Sequence, residues 1–292
     1  MVDLLTGLEP LAQRYRGVIV DLWGVLHDGG TAFPGALRAL AGLKAAGVQV
    51  QLLSNAPRQV APVAARLTEL GYPPESYDHL LTSGETTWRL LMERTDPFFA
   101  ALGERVYFLG ASKDESMLTG GYAQRVERLE DAQFILNTGA EFGHTVEMYE
   151  ALLQQARSLT LPMVCANPDR VVIHHGRREI CAGTLAERYL ALGGVVREVG
   201  KPHREVYTHC LAALGLEPVD VLAIGDSLTT DIAGAAQVGM DSLLIADGIF
   251  AEDLGLAPGG PGLSADAVVA LATRLALPAP TYAMPLLDWA AA

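Results

Sequence analysis

The sequence predicts an α/β fold in which a doubly wound parallel sheet carries a second α/β unit inserted between its two halves. Short apolar runs rich in β-branched residues alternate with segments of helical spacing along most of the chain. Several runs are apolar at nearly every residue, as strands are when both faces of a parallel sheet are covered. The chain has 292 residues, more than one core usually organises, so we expect two domains.

The first half of the predicted core alternates strands and helices, with turn residues between them. Residues 1–16 are expected to form a helix that leads into the first strand at 18–20. The elements after it are a helix at 36–46, a strand at 48–53, a helix at 58–70, a strand at 80–83 and a helix at 84–94. This alternation is typical of parallel sheets, whose strands are joined by helical crossovers.

A second alternating set begins near residue 105 and has apolar strands of its own, which indicates an inserted α/β unit. Its predicted elements are strands at 106–109, 132–137 and 162–166 and a helix at 146–159. The first pattern then resumes with helices at 184–192, 204–214, 229–237 and 265–275 and strands at 195–199, 221–224 and 242–245. We therefore assign residues 1–82 and 183–292 to the core and residues 83–182 to the inserted unit.

The net charge of −13 argues against general binding to nucleic acids or anionic membranes. No run approaches the about 18 apolar residues that span a bilayer, and no signal peptide is evident at the N-terminus. The three cysteines, Cys165, Cys181 and Cys210, lack the spacing of a metal site and fit free thiols in a reducing compartment. We expect a cytoplasmic protein with neither a nucleic acid nor a membrane as partner.

Polar side chains follow four of the predicted strands, at the edge of the sheet where open α/β folds bind their ligands. They are Asp21, Ser54, Asn55, Lys201, Asp226 and Asp231. Each alone has a structural explanation, such as a helix cap or a solvated charge. Together they supply carboxylates for a hard cation, a lysine that balances charge and a hydroxyl donor. This set suits phosphoryl transfer, in which a carboxylate attacks phosphorus while Mg²⁺ neutralises the phosphate.

With these strand ends the sequence resembles the haloacid dehalogenase-like (HAD) superfamily of hydrolases. The resemblance rests on four motifs in the family's order: Asp21-Leu-Trp-Gly-Val-Leu26, Leu53-Ser-Asn55, Gly200-Lys-Pro202 and Gly225-Asp-Ser-Leu-Thr-Thr-Asp231. The Gly-Lys-Pro triplet and Cys165-Ala-Asn-Pro-Asp169 are similar to the class IIA branch, which includes nucleotide, nitrophenyl-phosphate and pyridoxal-phosphate phosphatases. The resemblance implies a Rossmann-like doubly wound core with an inserted α/β cap. It also implies a Mg²⁺-dependent phosphohydrolase of small phosphorylated metabolites that forms an aspartyl-phosphate intermediate.

The resemblance also implies a role for each matching residue. Asp21 is then the nucleophile, Ser54 a hydrogen-bond donor to the phosphate, and Lys201 the residue that holds the nucleophile and the phosphate. The implied metal ligands are Asp21, the main-chain carbonyl of Trp23, Asp226 and Asp231. The implied substrate-binding residues are Ser54, Asn55, Asn167 and Asp169.

Trp23 stands where family phosphatases normally carry a second aspartate, two positions after the nucleophile. That aspartate protonates the leaving oxygen and then activates water, and an indole does neither. A positioned general acid–base is worth roughly 10²–10⁴-fold in rate. Three explanations stay open. Another group, such as His27, Asp28 or a cap residue, replaces the acid; the leaving group needs none; or the protein binds its ligand and turns it over poorly.

Two other functions are therefore kept beside the phosphohydrolase. The first is a catalytically weak protein that binds a phosphorylated ligand, because Trp23 replaces the usual acid. The second is hydrolysis of a carbon–halogen or carbon–phosphorus bond by Asp21, although carbon–halogen cleavage gives no reason to keep Asp226 and Asp231. The expected partner of the phosphohydrolase is a small phosphorylated substrate, and a homodimer is left open.

Overall fold

The computed structural model describes residues 2–174, 177–256 and 260–290. Its strands are β1 (Asp3–Leu4), β2 (Gly17–Val20), β3 (Gln49–Ser54), β4 (His79–Thr82), β5 (Arg105–Leu109), β6 (Gln124–Val126), β7 (Phe134–Asn137), β8 (Met163–Cys165), β9 (Val171–His174), β10 (Arg177–Ile180), β11 (Val196–Glu198), β12 (Val221–Gly225), β13 (Asp241–Ile245) and β14 (Tyr282–Met284). Among these residues no helix combines the length and the apolar character needed to cross a bilayer.

The helices lie between the strands, in the alternation that the sequence predicts. The α-helices are α1 (Pro34–Ala45), α2 (Val60–Glu69), α3 (Ser83–Glu93), α4 (Pro97–Ala100), α5 (Glu150–Ser158), α6 (Ala182–Ala191), α7 (Arg204–Leu214), α8 (Ala233–Val238) and α9 (Ala265–Arg274). Shorter helical turns lie at Glu9–Gln13, Pro74–Ser76, Ser112–Leu118, Leu129–Asp131, Val146–Tyr149, Pro218–Asp220 and Leu228–Ile232.

The larger sheet has the strand order β1-β14-β13-β12-β2-β3-β4, with all neighbouring strands parallel. Because side chains alternate along a strand, Val18 and Val20 of β2 enter one core cluster and Ile19 enters another. Val20 pairs with Leu52 of β3 on one side and with Ile224 of β12 on the other. The strand order reverses at β2, and doubly wound sheets bind ligands at such a point.

The second sheet has the order β11-β8-β7-β5-β6 and is also parallel, while β9 and β10 form an antiparallel hairpin. Adjacent residues of β7, Phe134 and Ile135, enter two different apolar clusters, so both faces of this sheet are covered. The predicted fold class, a Rossmann-like parallel core with an inserted α/β cap, is confirmed.

One strand lies in a different sheet from the one that the sequence predicts. The run at 195–199 is expected in the core, but β11 pairs in parallel with β8, with Val196 opposite Met163. Helix α6 contacts both strands and therefore also packs on the second sheet. The prediction was wrong because a short apolar run does not specify its partner strand. The division of the chain into 1–82, 83–182 and 183–292 stays a prediction.

The N-terminal segment also differs from the helix predicted at 1–16. It contains β1 and the helical turn Glu9–Gln13, and β1 pairs with β14 from the other end of the chain. Leu8 and Leu11 are buried in the core. Pairing between the two ends of a chain leaves no local sequence signal, so neither strand was predicted.

Candidate active site

The side chains of Asp21, Asp231 and Lys201 form a buried ion-pair network at the carboxyl ends of β2 and β12. Lys201 Nζ lies 2.7 Å from Asp21 Oδ1 and 2.8 Å from Asp231 Oδ1, and none of the three residues is more than 9% exposed. Burial alone lowers the pKa of Lys201, but the charges of Asp21 and Asp231 outweigh it and hold that pKa well above its usual value. Lys201 is therefore a cation between two acids.

Asp226 adds a third carboxylate to this network. Asp21, Asp226 and Asp231 each offer one carboxylate oxygen, and these oxygens lie within 4.8 Å of one another. Burial raises the pKa of Asp226 well above its usual value, and the charges of Asp21 and Asp231 raise it further. One ammonium group faces three carboxylates, so the cluster lacks positive charge. Clustered carboxylate oxygens are the ligands that a hard cation prefers, and these residues fit the Mg²⁺ ion that the sequence implies.

Hydrogen bonds from nearby main-chain N–H groups orient two of these carboxylates. After β12, the N–H of Ser227 donates to Asp231 Oδ2 at 3.2 Å, and Ser227 Oγ accepts from the N–H of Thr230 at 3.3 Å. Asp231 therefore uses one oxygen for its own turn and the other for Lys201. The N–H of Leu22 donates to Asp21 Oδ1 at 2.7 Å, the same oxygen that faces Lys201.

Asn55 and Asn167 are hydrogen-bonded within the protein, although both line the cavity described next. Asn55 Oδ1 accepts from the N–H of Lys201 at 2.8 Å, and Asn55 Nδ2 donates to the Lys201 carbonyl at 3.1 Å and to Asp169 Oδ1 at 2.8 Å. Asn167 Oδ1 accepts from the N–H of Asp169 at 3.0 Å across Pro168. These contacts position the Lys201 loop, and the predicted roles of both asparagines in binding substrate stay predictions.

One cavity of about 1090 Å³ is lined by Ser54, Asp169, Asp21 and Asp226. Its wall also includes loop residues that follow strands of the second sheet and residues of the β9–β10 hairpin. Ser54 Oγ accepts a hydrogen bond from the N–H of Ala56 at 3.1 Å. This bond uses a lone pair of the hydroxyl, so its O–H can still donate to a ligand. The structure thus brings all the predicted site residues to one place, while their chemical roles stay predictions.

Trp23 lies in the loop after β2 and contacts the β9–β10 hairpin. Its Nε1 donates to the carbonyl of Ile173 at 2.8 Å, and its ring meets those of His27 and His174 at centroid distances of 5.5 and 5.9 Å. The contact with Ile173 could not be predicted from the sequence, because any residue type offers a main-chain carbonyl as an acceptor. Burial lowers the pKa of His27 to about 4, so this imidazole is neutral near pH 7 and is poorly suited to replace the missing acid.

Two family models match this chain. One, described as a haloacid dehalogenase-like hydrolase, matches residues 18–122. The other, described as HAD-hydrolase-like, matches residues 198–271. Between them the two matches include Asp21, Ser54, Lys201, Asp226 and Asp231.

The chain is similar to proteins whose activities are named. A D-glycerol 3-phosphate phosphatase of Mycobacterium tuberculosis is 27% identical over 245 residues, which are 83% of this chain and 66% of that protein. A phospholysine phosphohistidine inorganic pyrophosphate phosphatase of Mus musculus is 25% identical over 252 residues, which are 80% of this chain and 84% of that protein. The chain thus spans slightly less than two thirds of the mycobacterial relative.

Solved structures show the same similarity. A haloacid dehalogenase-like hydrolase of Brucella suis is 33% identical, with a TM-score of 0.82 over 97% of this chain and 99% of that chain. A glycerol phosphate phosphatase of Mycobacterium tuberculosis in complex with magnesium is 25% identical, with a TM-score of 0.63 over 85% of this chain and 73% of that chain.

Proposed function

Because the chain belongs to the haloacid dehalogenase-like hydrolases and is of their class IIA phosphatase type, we propose that it hydrolyses small phosphorylated metabolites with Mg²⁺ as cofactor. The reaction proceeds through an aspartyl-phosphate at Asp21. The observation that carries this proposal is the buried pair of Lys201 and Asp21, 2.7 Å apart, beside the carboxylates of Asp226 and Asp231. A cytoplasmic location and a homodimer stay predictions.

In the proposed reaction Asp21 attacks phosphorus with Oδ2, the oxygen that Lys201 does not hold. Oδ1 accepts from Lys201 Nζ and from the N–H of Leu22, both at 2.7 Å, and these bonds fix the plane of the carboxylate. A phosphorus–oxygen bond to Asp21 forms while the bond to the leaving oxygen breaks. The leaving oxygen takes a proton from solvent. Water then attacks the phosphorus of the aspartyl-phosphate and loses a proton to solvent, while the phosphorus–oxygen bond to Asp21 breaks; this releases inorganic phosphate and restores the carboxylate. The Lys201 ammonium and the Ser54 O–H stabilise negative charge on the phosphoryl oxygens.

Four groups of this chain would hold the metal: the carboxylates of Asp21, Asp226 and Asp231 and the main-chain carbonyl of Trp23. When bound, the ion supplies the positive charge that lets an anionic carboxylate approach an anionic phosphate. A cluster of three buried carboxylates also disfavours carbon–halogen cleavage by Asp21, because that reaction needs no metal.

We also propose that the second sheet acts as a cap over Asp21. Ser83 lies where the chain first leaves the core, and its Oγ donates both to the Ala56 carbonyl at 3.1 Å and to the Ala166 carbonyl at 2.6 Å. Because β11 pairs in the second sheet, we place the return crossing near Gly200 rather than near Gly183. Closure about these two crossings would exclude water from the cavity.

Trp23 favours one competing function, a protein that binds a phosphorylated ligand and turns it over poorly. The two functions are separated by phosphate release from alkyl, aryl and acyl phosphates, measured with and without Mg²⁺. Asp21→Asn is the matched control, because the amide keeps the shape of the carboxylate and is a far weaker nucleophile. Release that requires Mg²⁺ and is lost in Asp21→Asn supports the phosphohydrolase.

The other outcomes are equally definite. Saturable ligand binding with no release from any ester supports the binding protein. Release that is undiminished in a folded Asp21→Asn variant overturns the aspartyl-phosphate mechanism.

A further inference from the structure

Thr138 carries a buried hydroxyl that the proposed reaction does not use. It follows β7 at the carboxyl end of the second sheet, is 2% exposed and lines the same cavity as Asp21. Its Oγ1 has no hydrogen-bond partner in the described part of the protein. Buried hydroxyl groups in folded proteins are nearly always paired. This oxygen is almost fully covered and lies against Gly110, and because no hydrogen bond holds it there, rotation about χ1 can turn it towards a ligand in the cavity.

The backbone around Thr138 makes room for this hydroxyl. Its N–H donates to the carbonyl of Leu109 at 2.8 Å, which sets it beside the end of β5. A Cβ on Gly110 would lie 1.7 Å from Thr138 Oγ1, so only glycine at this position leaves the hydroxyl its space. The loop that continues from Gly110 carries Lys113, which lines the same cavity as Thr138.

Lys113 is an exposed residue that lines the same cavity. Its Nζ lies 4.0 Å from the centroid of the Phe142 ring, and within the described residues no carboxylate oxygen lies within ion-pair distance of it. The neighbouring acid, Asp114, is engaged by Arg58, whose Nε lies 2.6 Å from Asp114 Oδ1. Partial burial lowers the pKa of Lys113, whereas the charge of Asp114 raises it. An ammonium group that lies over a ring at the cavity wall and has no carboxylate partner among the described residues is well placed to pair with a ligand anion.

We propose that Thr138 and Lys113 form a distal subsite that binds an anionic group, a carboxylate or a second phosphate, on the leaving-group part of the substrate. After rotation about χ1 the Thr138 hydroxyl donates a hydrogen bond and the Lys113 ammonium supplies charge, while the phosphoryl group to be transferred lies at Asp21. This inference rests on the proposed function, since it names the class of substrate that the same cavity takes.

The kinetic test compares substrates that differ in one group. D-Glycerol 3-phosphate and 3-phosphoglycerate share a three-carbon skeleton, with a hydroxymethyl group in one and a carboxylate in the other. Propane-1,3-diol bisphosphate and 3-hydroxypropyl phosphate form the second pair and distinguish a phosphate from a carboxylate. We expect a higher kcat/KM for the anionic member of at least one pair.

Three variants locate the preference. Lys113→Met should lower kcat/KM for the preferred anionic substrate roughly tenfold, as expected for loss of a charged hydrogen bond, and leave the neutral partner within about twofold. Thr138→Val should raise KM for the anionic substrate without lowering the Tm, because the hydroxyl it removes has no partner in the protein. Lys44→Met is the control. It removes a lysine that does not line the cavity and whose Nζ lies 2.5 Å from Asp78 Oδ1, and it should leave kcat/KM for all four substrates unchanged.

A binding measurement keeps the inference independent of turnover. Calorimetric titration of the protein with 3-phosphonopropionate and with propylphosphonate, in Mg²⁺, compares the same distal groups on probes that cannot be hydrolysed. Tighter binding of the carboxylate probe that is lost in Lys113→Met supports the subsite even if no ester is hydrolysed. Equal affinity for the two probes together with no anionic preference in either substrate pair overturns it, as does a preference that survives in both Lys113→Met and Thr138→Val.

Discussion

The indole Nε1 of Trp23 donates a hydrogen bond to the main-chain carbonyl of Ile173 at 2.8 Å, and this bond ties the nucleophile loop to the β9–β10 hairpin. The same ring packs on Gly29 so closely that a Cβ there would lie 2.2 Å from it. A residue that replaces the usual acid therefore also joins two parts of the cavity wall. Trp23 thus removes a group for proton transfer and adds a structural contact. Different substitutions at this position test the two effects separately.

Trp23→Asp should restore an acid at the family position. We expect turnover of alkyl phosphates, whose leaving oxygen is basic, to rise most, by up to the roughly 10²–10⁴-fold that a general acid supplies. The smaller side chain leaves a cavity, and we expect the free energy of unfolding to fall by about 2–4 kcal/mol. Steady-state phosphate release and urea unfolding measure the two effects.

Trp23→Asn is the matched control for this substitution, because it leaves the same cavity without a titratable proton. It should lose stability as Trp23→Asp does and gain no turnover. Brisk hydrolysis of alkyl phosphates by the wild type, with no gain in a folded Trp23→Asp protein, would mean that another residue already serves as the acid.

Trp23→Phe should keep an aromatic ring and remove the N–H donor together with the five-membered ring of the indole, a loss of volume that the control below shares. The net value of one such hydrogen bond is about 1 kcal/mol, so amides of the β9–β10 hairpin should exchange with deuterium roughly fivefold faster. Trp88→Phe is the control, because Trp88 Nε1 donates at 2.9 Å to the carbonyl of Thr119 and does not line the cavity. Unchanged exchange at 171–174 and 177–180 in Trp23→Phe would show that the ring packing alone holds the hairpin.

Asp226→Asn should weaken Mg²⁺ binding, because an amide oxygen replaces a charged ligand. Without metal, the same change should raise stability by about 1–2 kcal/mol, since it removes one of three mutually repelling buried carboxylates. Calorimetry with Mg²⁺ and thermal unfolding in a chelator measure the two effects. If the variant bound Mg²⁺ as tightly as the wild type, the proposed ligand set would be wrong.

His27 should make the protein less stable in mild acid. Burial lowers its pKa from 6.5 to about 4. Between pH 6.5 and about pH 4, His27 is therefore protonated in the unfolded chain and neutral in the folded protein. The stabilising effect of a neutral His27 is present above pH 6.5 and is lost as the pH falls towards 4, by up to about 3 kcal/mol. Urea unfolding at several pH values from 7.5 to 4.5 measures this loss.

His27→Asn provides the comparison, because the amide oxygen can accept the hydrogen bond that Gly29 N–H donates to His27 Nδ1 at 3.0 Å. The amide does not titrate between pH 4 and pH 6.5, so the free energy of unfolding of the variant should change less with pH than that of the wild type. Equal pH dependence of the two proteins would assign the acid sensitivity to other groups.

The sequence alone was sufficient to predict the α/β class, the inserted cap and the assembly of Asp21, Lys201, Asp226 and Asp231 at one site. Apolar runs and helical spacing are local patterns, and they identified strands such as β2 and β12 directly. Residues that follow parallel strands meet at one edge of the sheet, so naming the strands was enough to bring the carboxylates together. The significance of Trp23 came instead from the family resemblance, which implies an aspartate two positions after Asp21.

Only the tertiary structure decided which segments pair and what each side chain meets. The sequence of β11 is compatible with either sheet, and the structure pairs it with β8. β1 and β14 come from opposite ends of the chain and pair with each other. The bond from Trp23 to Ile173 and the unpartnered hydroxyl of Thr138 likewise depend on atoms from distant segments. Local periodicity records which face of an element is buried, whereas the partner on that face is chosen by packing of the whole chain.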